Sequence, residues 1–489
     1  MTSNLILAID QGTTGTTALV FDENWDVRGR GYREIPQFFP SAGWVEHDAE
    51  AIWRSVLAAL AEARAQAGPG AIAGIGITNQ RETVVCWERK TGRAVTPAIV
   101  WQDRRTADRC AAMRRAGLEE IFQRSTGLLL DPYFSGTKIA WMLDNLPGLP
   151  EAAASGAIAF GTVDSFLVWR LSGGKSHITD VSNASRTLLF DIGKLDWDAE
   201  LCRLFAVPAA TLPRVVSSAG HLATTLDVDG LADGTPISGI AGDQQAALFG
   251  QGCLDPGDAK CTFGTGSFLL MNVGGRPLPS RHRLLATVAW QTPSGTSYAL
   301  EGSVFVSGAL VQWLRDGLGI IKSASEIEAL AASVPDAGGV TIVPALAGLG
   351  APHWRPEARG IICGISRGTR AAHIARAALE AMALQNVDLV RAMEQDAGRP
   401  ISRLRVDGGA TVNGLLMQMQ ADLLGVEIIR PAMVDSTALG AGRLAAQGLG
   451  LASGRSQQPH LGASVFHPRM APDERERSLA RWRDALARA

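Results

Sequence analysis

Cysteine is sparse and unpatterned: the chain of 489 residues holds six, Cys86, Cys110, Cys202, Cys253, Cys261 and Cys363. With no CxxC and no Cys/His spacing among them, neither a zinc site nor a disulfide framework is indicated. They read as small buried apolar residues of a reducing compartment. Long apolar runs are missing as well. The first, residues 5–9, is cut by Asp10, which is too short for the core of a signal peptide, and no later run reaches membrane-spanning length. A cytoplasmic protein without membrane insertion is expected. Excess charge is also lacking, since 46 Lys and Arg stand against 48 Asp and Glu for a formal net charge of -2. That balance offers no basic field to nucleic acid and no broad attraction to an acidic membrane. A phosphate-bearing partner must therefore be held by a local site. The GxxxxGK[ST] pattern and the protein-kinase motif set are absent, which argues against those two nucleotide-binding architectures.

What is present is length and apolar content: at 489 residues and 46% hydrophobic, the chain exceeds what one core usually supports. Two large domains are expected. The opening stretch is an apolar run ending at Asp10, followed by Gln11-Gly12-Thr13-Thr14-Gly15-Thr16-Thr17 and a second run over residues 18–21. Glycines allow a tight turn with inward N–H groups, flanking threonines can donate to phosphate oxygens, and the acid at the strand end can face a phosphate-bound divalent ion. An ordinary hairpin with a polar turn fits the same residues.

Asp48 then caps a helix whose buried stripe is Ile52, Val56 and Leu60, ended by Gly68-Pro69-Gly70. A strand over residues 72–78 delivers Arg81 and Glu82, a donor fork beside an acceptor pair that suits vicinal hydroxyls, although a surface salt bridge is the commoner fate of such a pair. Trp101 ends another apolar run and suits either a small carbon skeleton or the core. Tyr133, one of only three tyrosines, lies in a Pro/Gly loop over residues 131–138, which favours a site role. Residues 160–169 and 183–187 read as architectural. Asp243 stands where a strand meets a helix, either as an ionised general base or as a simple cap.

The chain then begins again. Residues 259–263 lead into Gly264-Thr265-Gly266 and a second strand, repeating the opening hairpin and suggesting related domains with a boundary near residue 250. Residues 302–318 read as a helix with Gly308 and Gln312, residues 371–396 as a long helix, and Asp407-Gly408-Gly409 as a strand-end turn. That turn would let a flat base or a ribose approach the backbone, or would serve only as a turn. A helix from Ser436 and a charged, surface-capping helix over residues 472–489 complete the chain.

Two acids at strand ends, two Gly/Thr hairpins, a late Gly-Gly turn and a cluster fit for hydroxyls together form a phosphotransferase plan, since phosphoryl transfer needs positioning and charge neutralisation above all. The chain resembles the FGGY carbohydrate kinases, closest to their glycerol-phosphorylating branch, over nearly its whole length. The likeness rests on residues 10–14, 43–48, 76–83, 131–138, 242–245 and 407–409. It implies an α/β fold of two actin/hexokinase-like, ribonuclease H-like domains, 1–249 and 250–489, with mixed sheets flanked by helices and a cleft for MgATP and glycerol.

By the same resemblance Arg81, Glu82, Tyr133, Asp243 and Gln244 bind the triol, and Trp101 and Phe268 lie against its carbons. Asp243 takes the proton of the attacking hydroxyl, and Asp10 with Asp243 orients Mg2+. Thr13, Thr14, Gly15, Thr17 and Thr265 hold ATP phosphates; Gly308, Gln312, Gly409 and Asn413 line the nucleoside site. One departure stands out: Thr17 occupies a position where the family often has arginine. That implies weaker nucleotide binding, or compensation by Lys260 or Arg367. The acidic loop over residues 225–233 is unlike the Gly/Lys-rich loop that binds a sugar bisphosphate in some bacterial relatives. A kinase for another small polyol or a ketose, or a non-catalytic ATP-binding scaffold, are the rival readings, and homodimer and homotetramer are both left open.

Overall fold

The apolar run at the start forms β1 (Leu5–Gln11), which turns at Gly12 into the antiparallel β2 (Gly15–Phe21), with Asp10 opposite Thr17 and Gln11 opposite Thr16. The computed structural model describes residues 4–355, 357–451 and 462–489. β3 (Val27–Glu34) extends the hairpin as an edge strand. It carries glycines because the helix Ala49–Ala67 lies directly on it: a Cβ on Gly31 would meet the Ala59 carbonyl oxygen at 2.0 Å. Asp48 caps that helix by accepting the Glu50 N–H at 2.9 Å, and Ile52, Val56 and Leu60 are buried beneath it.

β4 (Ile72–Asn79) runs parallel to β1, and β6 (Pro236–Gly242) runs parallel to β4, with β5 (Ala219–Thr224) antiparallel at the far edge. The resulting order is β5-β6-β4-β1-β2-β3. β1 and β4 are covered on both faces, which explains why they read as continuous apolar runs rather than alternating ones.

The second sheet repeats the plan. β7 (Ala259–Phe263) and β8 (Ser267–Gly274) form an antiparallel hairpin, β9 (Leu285–Thr292) and β10 (Gly295–Val304) extend it, and β11 (Arg403–Asp407) lies parallel to β7 on the other side. With β12 (Glu427–Arg430) and β13 (Ser464–Phe466) the order is β9-β10-β8-β7-β11-β12-β13. The largest apolar cluster packs around this sheet and the helix Ala371–Ala397, which ends at a left-handed Gly398 as its sequence predicts.

Three expectations need correction. Residues 302–304 belong to β10, where Gly302 pairs with Leu269, and the helix is only Gly308–Asp316; the strand ladder claims the first residues. The expected loop over residues 131–138 turns helical at Ser135, since the helix Ser135–Asn145 begins there. The charged C-terminal helix Pro472–Leu486 is more than a surface cap, because it buries Leu479, Trp482 and Ala485 in the main core.

The helix Ser436–Gly448 leaves the second sheet and packs on the first: a Cβ on Gly76 would stand 2.1 Å from the Ala441 carbonyl oxygen. It also crosses the helix Asp243–Gly250 so closely that a Cβ on Gly440 would lie 1.8 Å from the Ala246 carbonyl oxygen. Among the described residues no helix is long and apolar enough to cross a membrane.

Candidate active site

Parallel β1, β4 and β6 end together. The register sets Asp10 beside Thr78, Gln11 and Gly242 both beside Asn79, and so brings Asp10, the 80–83 turn and Asp243 to one edge of the sheet. Carboxyl ends of parallel strands are where open α/β sheets place their ligands. The Asp10 carboxylate is half-buried, and among the described residues no hydrogen bond or ion pair reaches it. Burial first, then the charges of Asp243 and Asp435, push it up to about 7.

Arg81 is no surface ion pair. Only 2% of its side chain is exposed, its Nη1 and Nη2 donate to Glu301 at 2.5 and 3.1 Å, and its Nε lies 3.1 Å from Asp243 Oδ1. Burial works against its charge, but the Glu301 and Glu82 carboxylates outweigh it and raise its pKa well above the ordinary value. Glu82 stands at a positive φ of 60°, buried, with Oε1 accepting from Arg186 Nε at 2.7 Å. Burial raises its pKa against the pull of Arg81 and Arg186. Asp243, at the first position of the helix Asp243–Gly250, keeps 31% of its side chain exposed, and it alone of this group opens substantially to the cleft. Its Oδ1 also accepts the Gln244 N–H at 2.7 Å, and among the described residues no hydrogen bond reaches Oδ2. Burial raises its pKa, opposed by Arg81, the Gln244 amide and Lys260.

Three aromatic rings gather above these polar groups. Trp101 stands edge-on to Tyr133 at 5.6 Å and to Phe268 at 6.2 Å, so the cluster joins both halves of the chain. The Trp101 indole N–H donates to Thr13 Oγ1 at 2.9 Å, and the Tyr133 hydroxyl lies 3.4 Å from Arg81 Nη2. The Tyr133 loop is locked from below by the buried Lys138, whose Nζ donates to the Pro132 and Tyr133 carbonyls at 2.6 Å each.

The model of the FGGY family of carbohydrate kinases matches this sequence twice, its N-terminal domain over residues 5–250 and its C-terminal domain over residues 259–449. The chain belongs to that family. It is 55% identical to the glycerol kinase of Alkalilimnicola ehrlichii over 486 residues, covering 99% of this chain and 98% of that one. It is 56% identical to the glycerol kinase of Aromatoleum aromaticum, again over 99% and 98% of the two chains. Among solved structures, the glycerol kinase of Plasmodium falciparum with ADP superposes with a TM-score of 0.93 at 34% identity, over 99% of this chain and 98% of that one. The actin/hexokinase-like fold of FGGY kinases is thus the fold of this chain.

The second FGGY hairpin is built like the first. Gly12 N–H closes on the Gly15 carbonyl at 2.9 Å, and Gly264 N–H on the Gly266 carbonyl at 2.8 Å. Thr14 and Thr265 are exposed at the two tips, Thr13 and Thr17 are half-buried, and Gly15 is required because a Cβ would meet the Arg33 carbonyl oxygen at 2.6 Å. Gly308 packs on the second tip, its N–H donating to the Gly264 carbonyl at 3.0 Å, and Gln312 lies exposed one helical turn further along. Gly408 presses on Phe263 beside the same tip, while Gly409 faces open space and Asn413 caps the helix Gly414–Leu424 through the Leu416 N–H at 2.8 Å. Lys260 is fully buried and spans the two halves, donating to Gln244 Oε1 and to Thr262 Oγ1, the latter at 2.7 Å; Arg367 is exposed.

Sequence reasoning missed Glu301, Arg186 and Gln245. Arg186 fell in a stretch read as architectural, yet its side chain is fully buried against Glu82 and Glu301. Glu301 had a signal, since it is the one charged residue of β10, a run otherwise of apolar and small neutral residues. Gln245 follows two residues already singled out, and its Oε1 accepts from Arg81 Nη1 at 3.2 Å.

Proposed function

We propose that this chain transfers the γ-phosphoryl group of ATP to a terminal hydroxyl of glycerol, giving glycerol 3-phosphate, with Asp243 as general base. The observation that carries this reading is the meeting of a partly exposed Asp243, a fixed Arg81 and Tyr133 under the rings of Trp101 and Phe268. The glycerol-kinase names of relatives more than half identical over nearly the whole chain support it. Arg81, Tyr133 and Glu82 orient the triol. Gln244 has its amide oxygen occupied by Lys260, so its amide N–H groups remain to donate to a hydroxyl. Trp101 and Phe268 cover the carbon side. Asp243 Oδ2 then takes the proton as the hydroxyl oxygen attacks phosphorus, while Oδ1 stays tied to Arg81 and the Gln244 amide.

Thr13 accepts from Trp101, which leaves its own O–H to donate to a phosphate oxygen. Thr14, Gly15 and Thr17 on the first hairpin and Thr265 on the second hold the remaining phosphate oxygens, and Gly308, Gln312, Gly409 and Asn413 line the nucleoside. The site suits a divalent ion. An unbonded Asp10 carboxylate, pushed up to about 7 beside a second acid, gains most from a cation held between the two. Asp10 and Asp243 would hold Mg2+, which when bound neutralises phosphate charge.

A coupled ADP-release assay over a panel of glycerol, other small polyols, dihydroxyacetone and ketoses tests the reading. Glycerol is expected to give the highest kcat/KM, and Asp243→Asn to lower kcat by about 10²–10⁴-fold, the usual span for a lost general base. Equal ADP release with and without glycerol would overturn it.

A further inference from the structure

Four charged side chains behind the pocket form a closed alternation. Glu301 accepts from Arg81 through both carboxylate oxygens, at 2.5 and 3.1 Å, and from Arg186 Nη2 at 2.9 Å. Arg186 Nε continues to Glu82 Oε1 at 2.7 Å, and Glu82 returns to within 3.9 Å of Arg81 Nε. The side chains of Glu301 and Arg186 expose 0% of their surface and are spent on Arg81 and Glu82, the two groups proposed to bind the triol. Arg186 additionally lies over the Tyr133 ring at 5.7 Å and the Phe134 ring at 5.2 Å.

Occupying both terminal nitrogens of Arg81 removes its freedom to rotate, and this is what turns its Nε to Asp243 and leaves an Nη2 edge beside the Tyr133 hydroxyl. Occupying Glu82 Oε1 leaves Oε2 without a hydrogen bond among the described residues. The network is electrically closed, with two guanidiniums against two carboxylates, and held from two sides. Arg81, Glu82 and Arg186 come from connections of the first sheet, and Glu301 from β10 of the second. Burial opposes its charge, but Arg186 and Arg81 outweigh burial and hold Glu301 down at about 2, ionised at any working pH.

We propose that Glu301 and Arg186 are positioning residues that set how strictly the pocket demands each hydroxyl, by fixing Arg81 and Glu82 as an unyielding donor and acceptor. The inference rests on the glycerol reading. A site whose buried polar groups cannot move leaves them unpaired when a substrate hydroxyl is missing, and such sites reject the deoxy analogue most strongly. A site whose arginine and carboxylate are loose adapts instead, and discriminates less.

Glu301→Gln keeps shape and removes charge; Arg186→Lys keeps charge and cannot bridge two carboxylates. For both variants, KM and kcat are measured with glycerol, propane-1,2-diol and propane-1,3-diol, alongside the ATP KM and the thermal midpoint. The expected result is a glycerol KM raised tenfold or more, an ATP KM within twofold of the parent, and a glycerol to propane-1,2-diol ratio of kcat/KM lowered at least tenfold. A fallen thermal midpoint with an unchanged ratio in the folded protein would mean a purely structural role and overturn the proposal. If Glu301→Gln does not fold, Arg186→Lys decides by the same ratio. A parent enzyme that ignores glycerol sinks the glycerol reading instead, and the ratio is then taken between whichever polyol it prefers and the deoxy form of that polyol.

Discussion

At the scale of single residues, Thr17 and Lys260 decide a question the sequence raises. Thr17 sits opposite Asp10 in the hairpin and brings no cation to the phosphate side. Lys260 is buried and bonded to Gln244 and Thr262, so its ammonium group is committed to the wall between the halves. Thr17→Arg is therefore expected to lower the ATP KM by about three- to tenfold, the worth of one charge-assisted contact at a partly open site. Steady-state kinetics at saturating glycerol measure it, and an unchanged KM would mean that another cation already serves. Asp10 and the hydroxyls of both hairpins were legible in the sequence, since each lies within a few residues of its turn. The role of Glu301 was not, because a lone charge in an apolar strand does not name its partner, Arg81, 220 residues away in the chain.

At the scale of elements, small residues set the geometry. The helices Asp243–Gly250 and Ser436–Gly448 cross at Gly440 and Gly250, where a Cβ would stand 1.8 Å from the Ala246 carbonyl oxygen and 2.1 Å from the Ser436 carbonyl oxygen respectively. Both obstructions are backbone, so neither can swing aside. Gly440→Val is expected to cost about 2–4 kcal/mol, in the range of severe overpacking, read as a lower urea midpoint at unchanged m. The helix from Ser436 was readable, and its small-residue stripe of Ala438, Gly440, Ala441 and Gly442 is plain in the sequence. Its partner was not, since the stripe carries no signature of the opposing surface. The misplaced helix start at Gly302 has a similar cause: Gly302 and Ser303 carry little strand signal of their own and are held extended by Leu269 and Phe268 across the ladder.

At the scale of the whole molecule, burial of thiols gives the protein a measurable signature. Five cysteines are buried and Cys363 is partly exposed. Burial pushes Cys202 up to about 11 and Cys110 and Cys253 to about 12. An unfolded thiol loses its proton near 8.5, so above that pH the unfolded chain sheds protons that the native protein keeps, and stability falls as pH rises. Buried Lys138, lowered to about 8, and Lys260, also lowered by burial, act in the opposite sense, but they are two against five. The urea midpoint is expected to be lower at pH 10 than at pH 7.5, and Ellman's reagent to titrate about one thiol rapidly in the native protein and six in denaturant. Rapid reaction of several native thiols would contradict the packing. The repeated hairpin plan was visible in sequence as an echo half a chain apart. How the halves are fastened was not, since Phe268, Lys260 and Glu301 reach across to partners that no local pattern names.

Glu301 also bears on how the protein is made. It leaves the ribosome 115 residues after Arg186. By then every strand of the first sheet has been synthesised, yet the two guanidiniums destined for the interior have Glu82 and Asp243 but not the carboxylate that bridges them. Until β10 arrives they stay hydrated, and the pocket floor stays open. The nascent chain cannot finish its substrate site from the first half alone, which ties completion of that site to the docking of the second sheet.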